Sequence, residues 1–106
     1  MTFEEFLPEY LAAHADRRTQ LVHTAGTVSA VSIAAVALIR RKLAWLLAAL
    51  AAGYIPAWLS HWAIEGNQPK TFKYPLLSVR GDFVMAARVL SGRPVAPDPM
   101  TRERSA

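Results

Sequence analysis

The chain has 106 residues, 53% hydrophobic and 19% charged, with a formal net charge of +4; that is one domain's worth of chain, apolar for a water-soluble one. It has no cysteine, which excludes a disulfide framework, an iron–sulfur cluster and a thiol nucleophile. Its basic residues flank apolar runs instead of lining a polar face, so snorkelling at lipid headgroups accounts for them better than nucleic acid, and no nucleic-acid partner is expected.

Residues 2–14 read as an amphipathic helix. Thr2 and Glu5 have capping-box spacing, and Phe3, Phe6, Leu7, Tyr10 and Leu11 share a face that His14 continues. Pro8 sets a kink or the true start of this helix. Such a helix lies on a membrane surface or covers a helix pair. Glu4, Glu5 and Glu9 stand where a secretory signal would be basic, so no cleavable signal peptide is expected.

Asp16 is the expected N-cap of a second helix running to about residue 40. From Thr24 to Ile39 it carries no charge, a length of roughly 24 Å, slightly short of a hydrocarbon core of about 30 Å; Leu21 to His23 extend it. A second uncharged run, Leu43 to Ile64, spans roughly 33 Å, and Pro56 predicts a kink in it. Only Arg40, Arg41 and Lys42 separate the two runs, so they form an antiparallel hairpin. A soluble bundle would need a polar face on each helix, and neither run has one. Ser78 to Ser91 reads as a third amphipathic helix, with Leu76, Val79, Phe83, Ala87 and Leu90 on one face and Gly92 as its stop. Residues 93–106 hold three prolines and mixed charges, the composition of a disordered tail. The expected fold is therefore all-α: an integral membrane hairpin of two transmembrane helices, with amphipathic helices before and after it, in a single domain of residues 1–92. There is no internal repeat and no glycine-rich phosphate loop.

The chain has three histidines, and the hairpin predicts that they meet. Gly26, Ala30 and Ala34 form a small-residue stripe on the first membrane helix, with His23 at its end; Ala49, Gly53 and Ala57 do the same on the second, followed by His61 and Glu65. Small residues let helices approach closely in lipid. His23 lies 18 residues before Arg41 and His61 lies 20 after it, so in an antiparallel pair their heights differ by only about 3 Å. His14 joins them from the preceding helix. Glu65, one turn beyond His61, adds a carboxylate. Imidazoles with a carboxylate suit iron, zinc or manganese, and two histidines with one carboxylate on one side of the ion is the usual open-sided non-haem iron(II) arrangement. Taken singly, each histidine reads as an interfacial hydrogen-bonded side chain; Trp45, Tyr54, Trp58 and Trp62 read as aromatic-belt residues.

Tyr10-Leu11-Ala12-Ala13-His14, Arg17-Arg18, His23 and Gly26 resemble the first signature of a small membrane family, formerly a domain of unknown function, typified by a fungal iron(II)-dependent 2-hydroxy fatty acid dioxygenase. The stretch His61-Trp62-Ala63-Ile64-Glu65-Gly66-Asn67-Gln68-Pro69 resembles its second signature, and Thr71 to Ser78 with Gly81-Asp82-Phe83 resembles the segment that follows in short bacterial-type members. Ser60 departs from the pattern, which usually has Gly before this histidine. The chain is also shorter than the fungal enzyme and lacks its extra hydrophobic segments.

The resemblance implies Fe2+ held by His14, His23 and His61 with Glu65 completing the set, or Asp82 in its place. It implies a 2-hydroxy fatty acyl substrate and O2, with fatty-acid alpha-oxidation as the process. Arg17, Arg18, Lys73 and Asn67 are the substrate-binding candidates. Two other classes fit the same residues: a non-enzymatic membrane scaffold or lipid-binding protein, and a zinc-dependent membrane hydrolase. The bilayer is the expected surrounding, in the cytoplasmic membrane of a bacterium or the endoplasmic reticulum of a eukaryote. Arg17, Arg18, Lys70, Lys73, Arg80 and Arg88 outnumber the three turn cations, which favours cytoplasmic termini. A two-helix hairpin buries little surface, leaving room for a homo-oligomer.

Overall fold

The computed structural model describes residues 1–95; most of the expected tail, residues 96–106, lies outside them. Among the described residues there are four α-helices and no strand: α1 Phe3–Ala12, α2 Arg17–Ile39, α3 Trp45–Ser60 and α4 Pro75–Leu90. A π-helical turn, His61–Glu65, continues α3, and a 3-10 turn, Lys70–Phe72, precedes α4.

Three of the four helix starts have a local cause in a side chain. The Thr2 hydroxyl accepts from the Glu5 N–H, satisfying one free donor of α1. Asp16 does the same for Arg18 N–H at 2.8 Å and opens α2. Pro75 occupies the first turn of α4, where its missing N–H costs nothing. Helix α1 stops at Ala12, two residues before the expected end. His14 consequently stands in the turn after the helix instead of on its stripe, with its N–H on the Leu11 carbonyl.

Helices α2 and α3 form the hairpin. At its turn Lys42 N–H bonds Ala37 O at 2.8 Å and Arg41 N–H bonds Leu38 O at 3.2 Å, with Arg41 in the left-handed region at φ 54°. This is a Schellman ending, with arginine where glycine is usual. The small-residue stripes make the seam. A Cβ on Gly26 would lie 3.0 Å from the Ala52 carbonyl oxygen. That oxygen has lost its helical partner, because the residue four positions on is Pro56. One on Gly53 would lie 3.3 Å from Ala30 Cβ.

Both hairpin helices are long and apolar enough to cross a membrane, and only 22% of the apolar stretch of each is buried in the protein. Ile39, Leu43, Leu47, Leu50, Ile55 and Leu59 face outward, Leu47 at 71% exposure. A soluble core helix hides such residues; here they are left exposed, as side chains that face lipid or a partner would be.

Helix α1 packs against α4 at the site end of the hairpin. Phe6, Tyr10, Leu11, Met85 and Val95 form the buried cluster, with Phe3, Tyr74, Leu77 and Val89 around it. Val95 lies in the stretch expected as tail, and Arg88 donates to its carbonyl at 2.9 Å. On α4 the buried face is Ser78, Gly81, Met85 and Ala86. The apolar face read from the sequence is the opposite one: Leu76 (84% exposed), Val79, Phe83 and Leu90 turn away from the core. Helix α4 thus has two apolar faces, one for α1 and one for its surroundings.

Candidate metal centre

His14, His23 and His61 come from three different segments and converge at the open end of the hairpin. They are 1%, 4% and 2% exposed. His14 Nε2 lies 3.1 Å from His23 Nε2 and 3.0 Å from His61 Nε2. The rings meet nearly edge to face, at 80–90°.

The outer nitrogens decide the tautomers. His14 Nδ1 lies 2.6 Å from the Tyr10 carbonyl and His23 Nδ1 lies 3.1 Å from the Thr19 carbonyl. A carbonyl only accepts, so both Nδ1 atoms carry the proton. Both contacts reach back four residues; for His23, within α2, this is the direction in which helical side chains lean. His61 Nδ1 lies 2.7 Å from Asn67 Oδ1. The Asn67 amide donates to Ala13 O at 3.2 Å, which orients its oxygen toward His61 and protonates that Nδ1 too. All three Nε2 atoms are therefore bare lone pairs, pointed at one another with no proton between them. Neighbouring lone pairs about 3 Å apart repel; they suit ligands on adjacent positions of an ion with bonds of about 2.0–2.1 Å. The void at the cluster, about 10 Å³, is atom-sized. The donor set can hold a metal ion.

Local backbone explains how Asn67 returns to His61. The π-turn puts Gly66 N–H on the His61 carbonyl, and Asn67 N–H bonds the same oxygen at 3.1 Å. Gly66 sits at φ +69°, where a Cβ would be strained. The chain can therefore double back within six residues.

Glu65 is placed elsewhere. Its carboxylate accepts the Asp16 N–H at 2.8 Å, fastening the end of α3 to the start of α2, and the clustered donor set is three imidazoles. Asp82 lines the same void but its carboxyl accepts the Tyr10 hydroxyl. Arg17 and Arg18 are exposed on the first turn of α2, Arg18 paired with Asp16 at 3.0 Å. Lys73 is exposed beside the Tyr74 ring. None of these three cations lines the void; Lys70 does.

Sequence reasoning gave four groups here no role at the site. Lys70 follows directly on the second signature, and adjacency to Pro69 was its only signal. Tyr10 stacks on His14 with centroids 4.2 Å apart. The Ser60 hydroxyl donates to Ala57 O at 2.7 Å and lies 3.3 Å from His23 Nδ1, so the serine that departs from the usual glycine touches the cluster. Trp58 lines the void and its indole N–H is buried without an acceptor among the described residues.

Burial holds His14 neutral, lowering its pKa to about 3, with the neighbouring His23 adding to the effect. Burial also raises Asp82 to about 6, against the opposing hydrogen bond from Tyr10. The Tyr10 hydroxyl is pushed well above its ordinary value by burial and by Asp82.

A family model described as Mpo1-like, 2-hydroxy-palmitic acid dioxygenase Mpo1-like, matches residues 1–94. No curated protein and no solved structure matches the chain.

Proposed function

The chain belongs to the Mpo1-like family, and on that premise we propose that it is a membrane-embedded, iron(II)-dependent dioxygenase that shortens 2-hydroxy fatty acids by one carbon. The observation that carries this reading is the buried cluster of three imidazoles whose ligand atoms lie within 4.8 Å of one another. A 2-hydroxy acid and O2 balance to the acid one carbon shorter, CO2 and water, with all four electrons drawn from the substrate, so no second reductant is needed.

His14, His23 and His61 would hold the iron through Nε2. Bound there, it would supply the one-electron chemistry that lets O2 react with a closed-shell acid. Three neutral imidazoles leave the charge of a divalent ion uncompensated, which favours an anionic, chelating substrate such as a 2-hydroxy carboxylate. Lys70 is the cation on the void that would pair with the carboxylate, and the unpartnered Trp58 N–H is a further donor. Asn67 keeps the His61 proton on Nδ1. Asp82, on the same void and with burial raising its pKa to about 6, would take the proton of the 2-hydroxyl. Glu65 acts through the Asp16 N–H, holding α2 in register with α3.

The reading places α2 and α3 across the bilayer, with the histidines and the N-terminus on the cytoplasmic side beside Arg17, Arg18, Lys70 and Lys73. It also gives a reason for a membrane location, because the substrate already resides in lipid.

One observation favours a second reading. Three histidines without a carboxylate is also a donor set of catalytic zinc, which would suit a membrane hydrolase. The test separates the two. Purified iron-loaded protein should consume O2 with 2-hydroxypalmitate, and His61→Ala should abolish both metal retention and O2 uptake. Lys70→Gln should raise KM while metal content stays at the wild-type level. Zinc on isolation with O2-independent turnover would establish the hydrolase instead, and unchanged turnover in His61→Ala would remove the cluster from the reaction.

A further inference from the structure

The void at the histidines, about 10 Å³, cannot take an acyl chain, which must lie somewhere else. Two apolar depressions flank the hairpin. One, about 150 Å³, runs between α2, α3 and α4. Its floor is Ala30, Ala49 and Gly53, and its walls are Leu50, Val79 and Phe83. The other, about 280 Å³, lies on the opposite side of the hairpin against Val22, Pro56, Leu59 and Ala63.

We propose that the groove between α2, α3 and α4 is the acyl-chain subsite, entered from the histidine cluster through a throat formed by Tyr54 and Asp82. The inference rests on the dioxygenase reading for the identity of the chain it holds. Three observations carry it. Tyr54 and Asp82 line both this groove and the void at the histidines, so the two spaces adjoin across these two side chains, whereas the opposite depression shares no lining residue with that void. The polarity is graded: Lys70, the histidines, Asp82 and the Tyr54 hydroxyl stand at one end, and the remainder is almost wholly apolar. That is the profile of an amphiphile with a carboxylate, a hydroxyl two atoms away, and then methylenes. Finally, the outward face of α4 accounts for itself, because Val79 and Phe83, turned away from the α1 cluster, are the wall of the groove.

Size sets what the subsite reads. An apolar cavity of about 150 Å³ takes a guest of roughly benzene size, on the order of six carbons. The groove therefore holds the methylenes nearest the head, and the far end of a palmitoyl-length chain passes out between α2 and α4 into lipid. Branching or bulk near the head should impair binding, and tail length beyond the groove should matter little.

The test uses the full chain, iron-loaded, in lipid nanodiscs, with 2-hydroxypalmitate carrying a photoactivatable diazirine near the head. After irradiation, peptide mapping should place adducts on Leu50, Val79 or Phe83. Filling the groove by Val79→Trp or Leu50→Trp should reduce those adducts by about tenfold or more, equivalent to about 1.4 kcal/mol, with metal content unchanged. The same label on palmitate, which lacks the 2-hydroxyl, should mark the groove far less. Adducts concentrated on Val22, Leu59 or Ala63, undiminished labelling in both tryptophan variants, or equal labelling by palmitate (bulk lipid as occupant) would each overturn the proposal. Labelling needs no turnover, so the two readings fail separately. Groove adducts without O2 uptake would sink the dioxygenase and keep the subsite; O2 uptake with adducts elsewhere would sink the subsite alone.

Discussion

Asn67→Ala tests the donor set without touching a proposed ligand. His14 and His23 fix their outer protons on backbone carbonyls, which no substitution removes. His61 depends on a side chain, Asn67 Oδ1 at 2.7 Å. Without it, the His61 ring has two options. It can keep the Nδ1 proton with no acceptor in a buried site, at a cost of about 1–3 kcal/mol. Or it can move the proton to Nε2 and withdraw that lone pair from the cluster. Either way metal affinity should fall by about 10–100-fold, the usual effect of losing such a partner, which is about 1.4–2.7 kcal/mol. Asn67→Asp keeps an acceptor for His61 and loses only the bond to Ala13 O at 3.2 Å. It should retain most of the affinity while lowering stability. Competition titration of Zn2+ or Fe2+ against a chromophoric chelator reads both variants directly. Affinity of Asn67→Ala within about twofold of wild type would refute the tautomer argument, and with it the claim that three bare Nε2 atoms define the site.

Two further expectations concern stability. Gly26→Ala puts a methyl 3.0 Å from the Ala52 carbonyl oxygen, a backbone atom that cannot swing aside as a side chain would; it should cost about 1–3 kcal/mol as overpacking, seen as a lower melting temperature in detergent, and Gly26→Val should cost more and loosen metal binding at His23. In the metal-free protein, His14 is neutral down to about pH 3 when folded and protonates at its ordinary value when unfolded, so the unfolded chain binds the extra proton and stability falls as pH drops below about 6.5. Asp82 acts with the opposite sign: raised to about 6 in the fold, it stabilises at low pH and loses that contribution as pH rises through 6. The two nearly cancel between about pH 4 and 6, and Asp82→Asn should expose the His14 slope as a steeper acid loss. An Asp82→Asn melting curve with the same pH slope as wild type would show that the buried carboxyl does not titrate in this window.

The elements whose cause is local were legible in the sequence. Two uncharged runs of 16 and 22 residues, a three-cation turn between them and stripes of glycine and alanine at spacing four dictate an antiparallel helical hairpin, because three residues are too few for any other connection and the small residues let the two helices approach closely. Helical rise alone then levels His23 with His61, and the short link before α2 leaves His14 nowhere distant to go. The N-caps at Thr2 and Asp16 were readable for the same reason: each serves donors within three residues.

What the tertiary structure decided depends on direction, which composition does not encode. Helix α4 carries apolar residues on both faces, so its sequence could not say which one meets α1; Gly81, whose added Cβ would press on the Tyr10 ring at 3.1 Å, admits only one. Glu65 shares a helical face with His61 by count, yet the π-turn changes the residue spacing there, and its carboxylate goes to the Asp16 N–H. Arg17, Arg18, Lys73 and Lys70 are equivalent as charges in the sequence, and only the loop after Gly66, with its left-handed backbone, brings Lys70 to the void and Asn67 back to His61. Periodicity predicts which residues lie at one height. Which way each side chain points is settled by neighbours far along the chain, through close packing and the need to pair every buried donor.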